Sequence, residues 1–99
     1  MPKTIESLET AVKLNPQYSR AWYNVGLALN AAGQVDAALK ALVRAEQIAP
    51  DDPLIPYARA TILVRAGRIT EARIAVQHAL TLRPDFDDAA QLLQILSQE

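Results

Sequence analysis

Three segments of the 99-residue chain place their apolar residues at the spacing of an α-helix. Ile5, Leu8 and Val12 recur at i, i+3 and i+7, and this spacing puts side chains on one helix face. Two later stripes keep a similar spacing; they are Val35, Ala38, Leu42 and Ala45, and Ile69, Ala72, Val76 and Ala79. The pattern therefore predicts an all-α protein in which each helix buries one face.

Glycine, proline and aspartate mark where these helices end and begin. Gly33 and Gly67 suit the left-handed residue that closes a helix, and Pro50 and Pro84 cannot continue one. Carboxylates that can cap free N–H groups or favour the positive end of the helix dipole follow the prolines; they are Asp51, Asp52, Asp85, Asp87 and Asp88. These signals predict six helices, over residues 3–14, 18–32, 35–48, 54–66, 69–82 and 86–98. Short connections would make neighbouring helices antiparallel.

The chain repeats itself every 34 residues. The tripeptides LNP, IAP and LRP end at Pro16, Pro50 and Pro84. Residues 19–52 aligned without gaps on residues 53–86 share nine identities, among them Tyr23 with Tyr57. Such a fixed period indicates one helical unit used more than once.

The repeated pattern resembles the tetratricopeptide repeat. Residues 19–52 carry W-x2-[LV]-G-x2-[LY], a second glycine and A-x3-[FLV]-x2-A-x4-P through Trp22, Val25, Gly26, Leu29, Gly33, Ala38, Leu42, Ala45 and Pro50. Residues 53–86 depart from it, with Pro56 at the tryptophan position and Ala60 at the first glycine. The resemblance implies a right-handed α-solenoid of antiparallel helix pairs. In it, residues 1–18 form only the second helix of a partial repeat, 19–52 and 53–86 form complete repeats, and 87–99 form a terminal capping or partial-repeat helix.

Gly26 needs an explanation, because a glycine inside a helix costs about 1 kcal/mol relative to alanine. A phosphate-binding backbone would need a preceding strand and a glycine-rich motif, and the sequence has neither. The resemblance implies instead that Gly26 lets the second helix of its pair approach closely. Ala38 and Ala45 would be the small partners on that second helix.

Composition argues against catalysis and against several classes of ligand. The net charge of −1 gives no overall attraction to nucleic acid or to an anionic membrane. The chain has no cysteine, and His78 is its one histidine, so a thiolate or histidine metal site cannot be assembled. The serines lack the G-x-S-x-G context of a nucleophile, and His78 has no apparent nucleophile to activate. We expect no enzyme activity, cofactor, metal or small-molecule substrate.

The compartment and the source are predicted from what the chain contains. No apolar run approaches the roughly 20 residues of a membrane span, and the N-terminus lacks the apolar block of a signal peptide. These features predict a cytoplasmic protein. Arginine exceeds lysine by seven to three and 18 residues are alanine, which suggests a bacterial source.

Charged residues cluster near the C-terminus, and two interpretations remain open. Residues 53–84 carry Arg59, Arg65, Arg68, Arg73 and Arg83 against one acid, Glu71, whereas residues 85–99 are strongly acidic. The arginines could bind an acidic peptide or a phosphate. A solvated surface balanced by the acidic tail is favoured, because no aromatic residues alternate with the arginines.

Arg59 also replaces an apolar residue found at Val25 and Leu93, and Glu46 replaces the one found at Val12 and Leu80. The resemblance implies that these two positions face each other across neighbouring repeats. An Arg59–Glu46 ion pair is therefore one hypothesis, and two side chains that both reach water is the other.

The resemblance implies a concave groove, lined by the first helices of successive repeats, that binds peptides or partner helices. The groove would present Arg20, Tyr23, Asn24, Leu27, Asn30, Tyr57, Thr61, Val64, Arg65, Gln91, Leu92 and Ile95. Tyr23 and Tyr57 would form a ladder, although both could also pack on neighbouring helices. Asn24 matches an asparagine that family members use to hold a peptide backbone.

The same face indicates which partners suit it. Tyr23 and Leu27 stand where the carboxylate-clamp subclass needs lysine and asparagine, which disfavours that subclass. An apolar peptide or an amphipathic helix is the expected partner. A non-catalytic protein-interaction module is therefore the predicted function.

Two alternatives to this function stay open. The last helix carries Leu92, Leu93, Ile95 and Leu96, which are too many for one buried face. A self-assembling scaffold that forms a homo-oligomer through its apolar end helices is the first alternative. An accessory segment of a larger enzyme or complex is the second.

Overall fold

A computed structural model describes residues 19–98, and the chain divides into two compact units, Met1–Pro50 and Asp51–Glu99. The first unit contains α1 (Ser19–Ala31) and α2 (Val35–Ile48). The second contains α3 (Leu54–Arg65), α4 (Ile69–Leu82) and α5 (Asp87–Ser97). The predicted all-α class is confirmed, and these bounds differ from the predicted ones by at most one residue at each end. The predicted helix over residues 3–14 lies outside the described residues.

In the first unit, α1 packs closely on α2 at Gly26. A Cβ built on Gly26 would lie 2.9 Å from Cγ of Leu42 and 3.2 Å from the carbonyl oxygen of Ala38. Leu42 and Ala38 are fully buried, so α2 has no free space on this side. The predicted close approach is confirmed; Leu42 contributes to it beside Ala38, and Ala45 is buried on the same helix.

The first helix of each unit's helix pair ends in the same turn. Gly33 and Gly67 have φ values of +83° and +78°, in the left-handed region that glycine adopts without a Cβ penalty. The next residues, Gln34 and Arg68, each donate a backbone N–H to the carbonyl five residues earlier at 2.9 Å. Each glycine N–H donates to the carbonyl three residues earlier at 3.0 Å. These two bonds define a Schellman motif, and its recurrence after 34 residues confirms the predicted role of both glycines.

The start of α3 tolerates a proline because of where the proline stands. Pro56 is in the first helical turn, where a backbone N–H has no partner within the helix. The side chain of Asp52 accepts a hydrogen bond from the backbone N–H of Leu54 at 3.0 Å, as a residue at a helix start was expected to do. Ala60, which stands where the repeat pattern has glycine, is fully buried.

Helix α5 begins and ends on contacts within the second unit. No side-chain hydrogen bond caps its first residue, and Asp85 instead pairs with Arg83 at 3.5 Å. The prediction that Asp85 caps this helix is therefore wrong. Near the other end of α5, Arg73 of α4 donates from Nη2 to the carbonyl oxygen of Leu96 at 3.1 Å. This bond joins the beginning of α4 to the end of α5, so the two helices run antiparallel.

Each described helix is at most 14 residues long. Across residues 19–98, none combines the length and the apolar character needed to cross a membrane.

Candidate protein-interaction faces

Helix α1 has one buried face and one exposed face. Val25 and Leu29 are buried on the side of Gly26. Arg20, Asn24 and Leu27 lie on the opposite side at i, i+4 and i+7, and all three are exposed. Leu27 is a large apolar side chain that is still 40% exposed. We call the exposed side the α1 face; half-buried Tyr23 and Asn30 flank it, so it brings together the five predicted groove residues of this helix.

Helix α3 presents its four predicted groove residues on one face as well, but that face is more engaged. Arg65 is exposed, whereas Tyr57, Thr61 and Val64 are half-buried. The hydroxyl of Thr61 donates to the carbonyl oxygen of Ala58 at 2.8 Å. Its hydrogen is therefore used within the helix, and its methyl group is the remaining contact surface.

The ring of Tyr57 packs on Phe86, a residue that the sequence analysis did not single out. The two ring centroids lie 4.9 Å apart with the planes tilted by 43°, an arrangement that aromatic pairs favour. Phe86 is only 9% exposed, and Cζ of Arg83 lies 5.6 Å from its ring centroid. The alternative that Tyr57 packs within the fold is confirmed. The signal was a phenylalanine in the position that Asp52 holds one repeat earlier.

Helix α5 divides its apolar side chains between core and surface. Leu96 is buried, Leu92 and Leu93 are half-buried, and Ile95 is 61% exposed. The predicted groove residue Gln91 is exposed too. The expectation that one buried face cannot hold all four apolar residues is confirmed.

Two predicted relationships connect residues of different units. They are the ladder of Tyr23 and Tyr57 and the ion pair of Glu46 and Arg59. Both stay predictions, as does a single groove over α1, α3 and α5.

Several basic side chains have local partners. The guanidinium of Arg68 donates to both carboxylate oxygens of Glu71, at 3.1 and 2.9 Å. In the first unit, Cζ of Arg44 lies 5.6 Å from the ring centroid of Trp22, which links α2 to α1. These contacts, with the Arg83–Asp85 pair, favour a solvated surface over a dedicated phosphate site.

The structure offers little for catalysis or metal binding in the part of the chain it describes. His78 is exposed on α4. Among residues 19–98, no three histidine, aspartate or glutamate side chains are grouped so that they could hold a metal ion.

Sequence comparison identifies relatives with helical repeats. Residues 5–53 match the family model described as tetratricopeptide repeat. Superkiller protein 3 of Schizosaccharomyces pombe is 31% identical over 81 residues, which cover 82% of this chain and 6% of that protein. The chain thus spans a small part of this curated relative.

Solved structures share the fold over nearly the whole chain. MamA matches with a TM-score of 0.89 and 25% identity, over 98% of this chain and 53% of that one. A Thermobaculum terrenum O-GlcNAc transferase mutant, K341M, matches with 0.82 and 26%, over 93% of this chain and 18% of that one. The Yersinia enterocolitica type III secretion chaperone SycD, in complex with a peptide of the translocator YopD, matches with 0.83. Its 21% identity over 98% of this chain and 74% of that one supports the fold alone. From its 34-residue pattern, its helix pairs and these matches, the chain belongs to the tetratricopeptide-repeat family.

Proposed function

We propose that the chain is a non-catalytic interaction module that binds a peptide or a partner helix on exposed faces of its helices. The observation that carries the proposal is the α1 face, where Arg20, Asn24 and Leu27 are exposed together opposite a fully packed side. Tetratricopeptide repeats commonly mediate protein–protein interactions, and SycD, which shares the fold, was solved with a bound peptide.

The residues of the α1 face supply the contacts that peptide binding needs. An asparagine amide can donate and accept hydrogen bonds at once, so Asn24 can satisfy both groups of a peptide unit. Leu27 offers apolar area, and Tyr23 adds a large ring with a polar tip. In the second unit, we propose Thr61, Val64 and Arg65 as contacts on α3, together with Tyr57, Leu92 and Ile95.

A peptide-library selection tests this function with a matched pair of variants. The immobilised 99-residue chain is offered random 16-residue peptides displayed on phage, and the Kd of each enriched peptide is measured by fluorescence anisotropy. Leu27→Asp introduces a charge on the α1 face, and Val43→Asp introduces the same charge on α2, where Val43 is 41% exposed. We expect Leu27→Asp to raise Kd about tenfold and Val43→Asp to leave it unchanged. Failure to enrich any peptide, or equal losses in both variants, would contradict the proposal.

Self-assembly is a second candidate, favoured by the 61% exposure of Ile95 on α5. An exposed isoleucine beside half-buried Leu92 and Leu93 is an apolar surface that a second copy of the chain could cover. An accessory role in a larger protein stays a prediction, since the chain spans only part of the relatives it matches. The cytoplasm remains the proposed compartment.

A further inference from the structure

We infer that the partner of the α1 and α3 faces carries acidic side chains beside apolar ones; this inference rests on the proposed function. The observation is a separation of charge by helix. The one charged residue of α1 is Arg20, and the two of α3 are Arg59 and Arg65. The carboxylates of the described helices all lie on the other three; they are Asp36, Glu46, Glu71, Asp87 and Asp88.

The geometry of the α1 face sets the spacing of the partner's groups. Arg20 and Leu27 are seven residues apart, which is about 10 Å along a helix axis, with Asn24 between them. A guanidinium can bind a carboxylate through two parallel hydrogen bonds, so Arg20 suits an aspartate or a glutamate. Leu27 would then contact an apolar side chain about two helical turns from that acid, or about three residues away in an extended peptide.

Charge complementarity here selects the partner more than it strengthens binding. An ion pair at the edge of an interface contributes little affinity, but like charges placed opposite each other are costly. A basic partner would face Arg20 or Arg65 with no carboxylate on the same helix to compensate. The acidic preference belongs to α1 and α3, because α5 carries exposed Asp88 at the position that Arg20 holds two repeats earlier.

The composition of the peptides selected above tests the inference directly. Displayed peptides have no free C-terminal carboxylate, so any acidic preference must come from aspartate and glutamate side chains. We expect these residues to be enriched about threefold over the starting library, and the Kd to rise with added salt. Arg20→Glu should abolish the enrichment and favour peptides rich in lysine and arginine.

Two further variants keep the result interpretable. Arg20→Gln removes the charge without adding a new one, and should lower the acidic enrichment without selecting basic peptides. Lys40→Glu makes the same reversal at an exposed position of α2, and should leave the selected peptides unchanged. Circular dichroism melting of each variant separates a binding effect from unfolding.

Each outcome of the selection decides between the two proposals. Peptides that bind the α1 face without acidic enrichment would overturn this inference and leave the proposed function standing. Acidic enrichment that survives Arg20→Glu, or that Lys40→Glu removes equally, would also overturn it. A library that yields no binder at all would contradict both proposals.

Discussion

Gly26 of α1 and Leu42 of α2 lie so close that a Cβ on the glycine would meet the leucine Cγ at 2.9 Å. Leu42 is fully buried, so its side chain cannot move aside without displacing the core of the first unit. The helix contact offsets the loss of helix propensity that glycine brings, about 1 kcal/mol. A residue that is poor for the isolated helix is therefore favourable for the pair.

Gly26→Ala should lower the free energy of unfolding by about 1–3 kcal/mol, the usual cost of overpacking a core. The gain in helix propensity would oppose this change but not cancel it. Urea denaturation monitored by circular dichroism measures the difference. If Gly26→Ala proved as stable as the parent, the two helices would not be in the close contact described here.

A double-mutant cycle identifies Leu42 as the group that a methyl at position 26 would strike. Leu42→Ala alone should destabilise by about 2–5 kcal/mol through cavity formation. Combined with Gly26→Ala, the total should be less than the sum of the single changes, because the new methyl group enters the space that the leucine leaves. Strict additivity would show that the two residues do not interact.

Gly33→Ala and Gly67→Ala should each destabilise by about 1–2 kcal/mol, for a reason different from Gly26→Ala. Nothing lies within 4 Å of a Cβ added at either glycine, so the cost arises from the left-handed backbone alone. Asparagine, which tolerates this conformation, should cost less than alanine at both positions. Thermal unfolding of the four variants checks the order, and equal losses for alanine and asparagine would argue against a conformational origin.

Arg73→Met should weaken the attachment of α5. The variant keeps an unbranched side chain but removes the hydrogen bond from Nη2 to the Leu96 carbonyl, which is worth about 1.5–3 kcal/mol for a charged donor. The expected loss is nearer the lower value, because the buried Nε of Arg73 has no hydrogen-bond partner in the described structure and methionine removes that unsatisfied group. Hydrogen exchange should become faster for the amides of α5.

Arg68→Met is the matched control for Arg73→Met. Arg68 makes a two-point contact with Glu71, yet the two side chains are 42% and 55% exposed. Surface ion pairs of this kind contribute about 0–1 kcal/mol. A loss as large as that of Arg73→Met would mean that burial is not what distinguishes the two arginines.

The Tyr57–Phe86 contact affects how binding experiments on the second unit should be designed. Phe86→Ala should destabilise by about 3–5 kcal/mol, and Tyr57→Ala should lose part of the same packing. Tyr57→Phe keeps the ring and should change stability by less than about 1 kcal/mol. Thermal unfolding checks this order. A loss of binding in Tyr57→Ala therefore counts only if the melting temperature is preserved.

Ile95→Lys tests self-assembly against a control of equal exposure. Ile74 on α4 is 62% exposed, against 61% for Ile95. If α5 mediates association, size-exclusion chromatography with light scattering should show a concentration-dependent oligomer that Ile95→Lys converts to a monomer and Ile74→Lys does not. A parent chain that stays monomeric across the dilution series would exclude this candidate and leave the α1 face as the main surface.

The sequence by itself determined the helices, their boundaries and the family. Apolar spacing and the glycines at 33 and 67 are local signals, because a helix and its closing turn depend on residues within a few positions. Only the tertiary structure decided which side chains remain exposed. Leu27 and Leu29 are both leucines of α1, yet one is 40% exposed and the other is buried, since burial depends on where α2 packs. In the same way, Phe86 covers Tyr57 and Arg73 reaches Leu96 because residues distant in the chain meet in space, and no local pattern encodes that meeting.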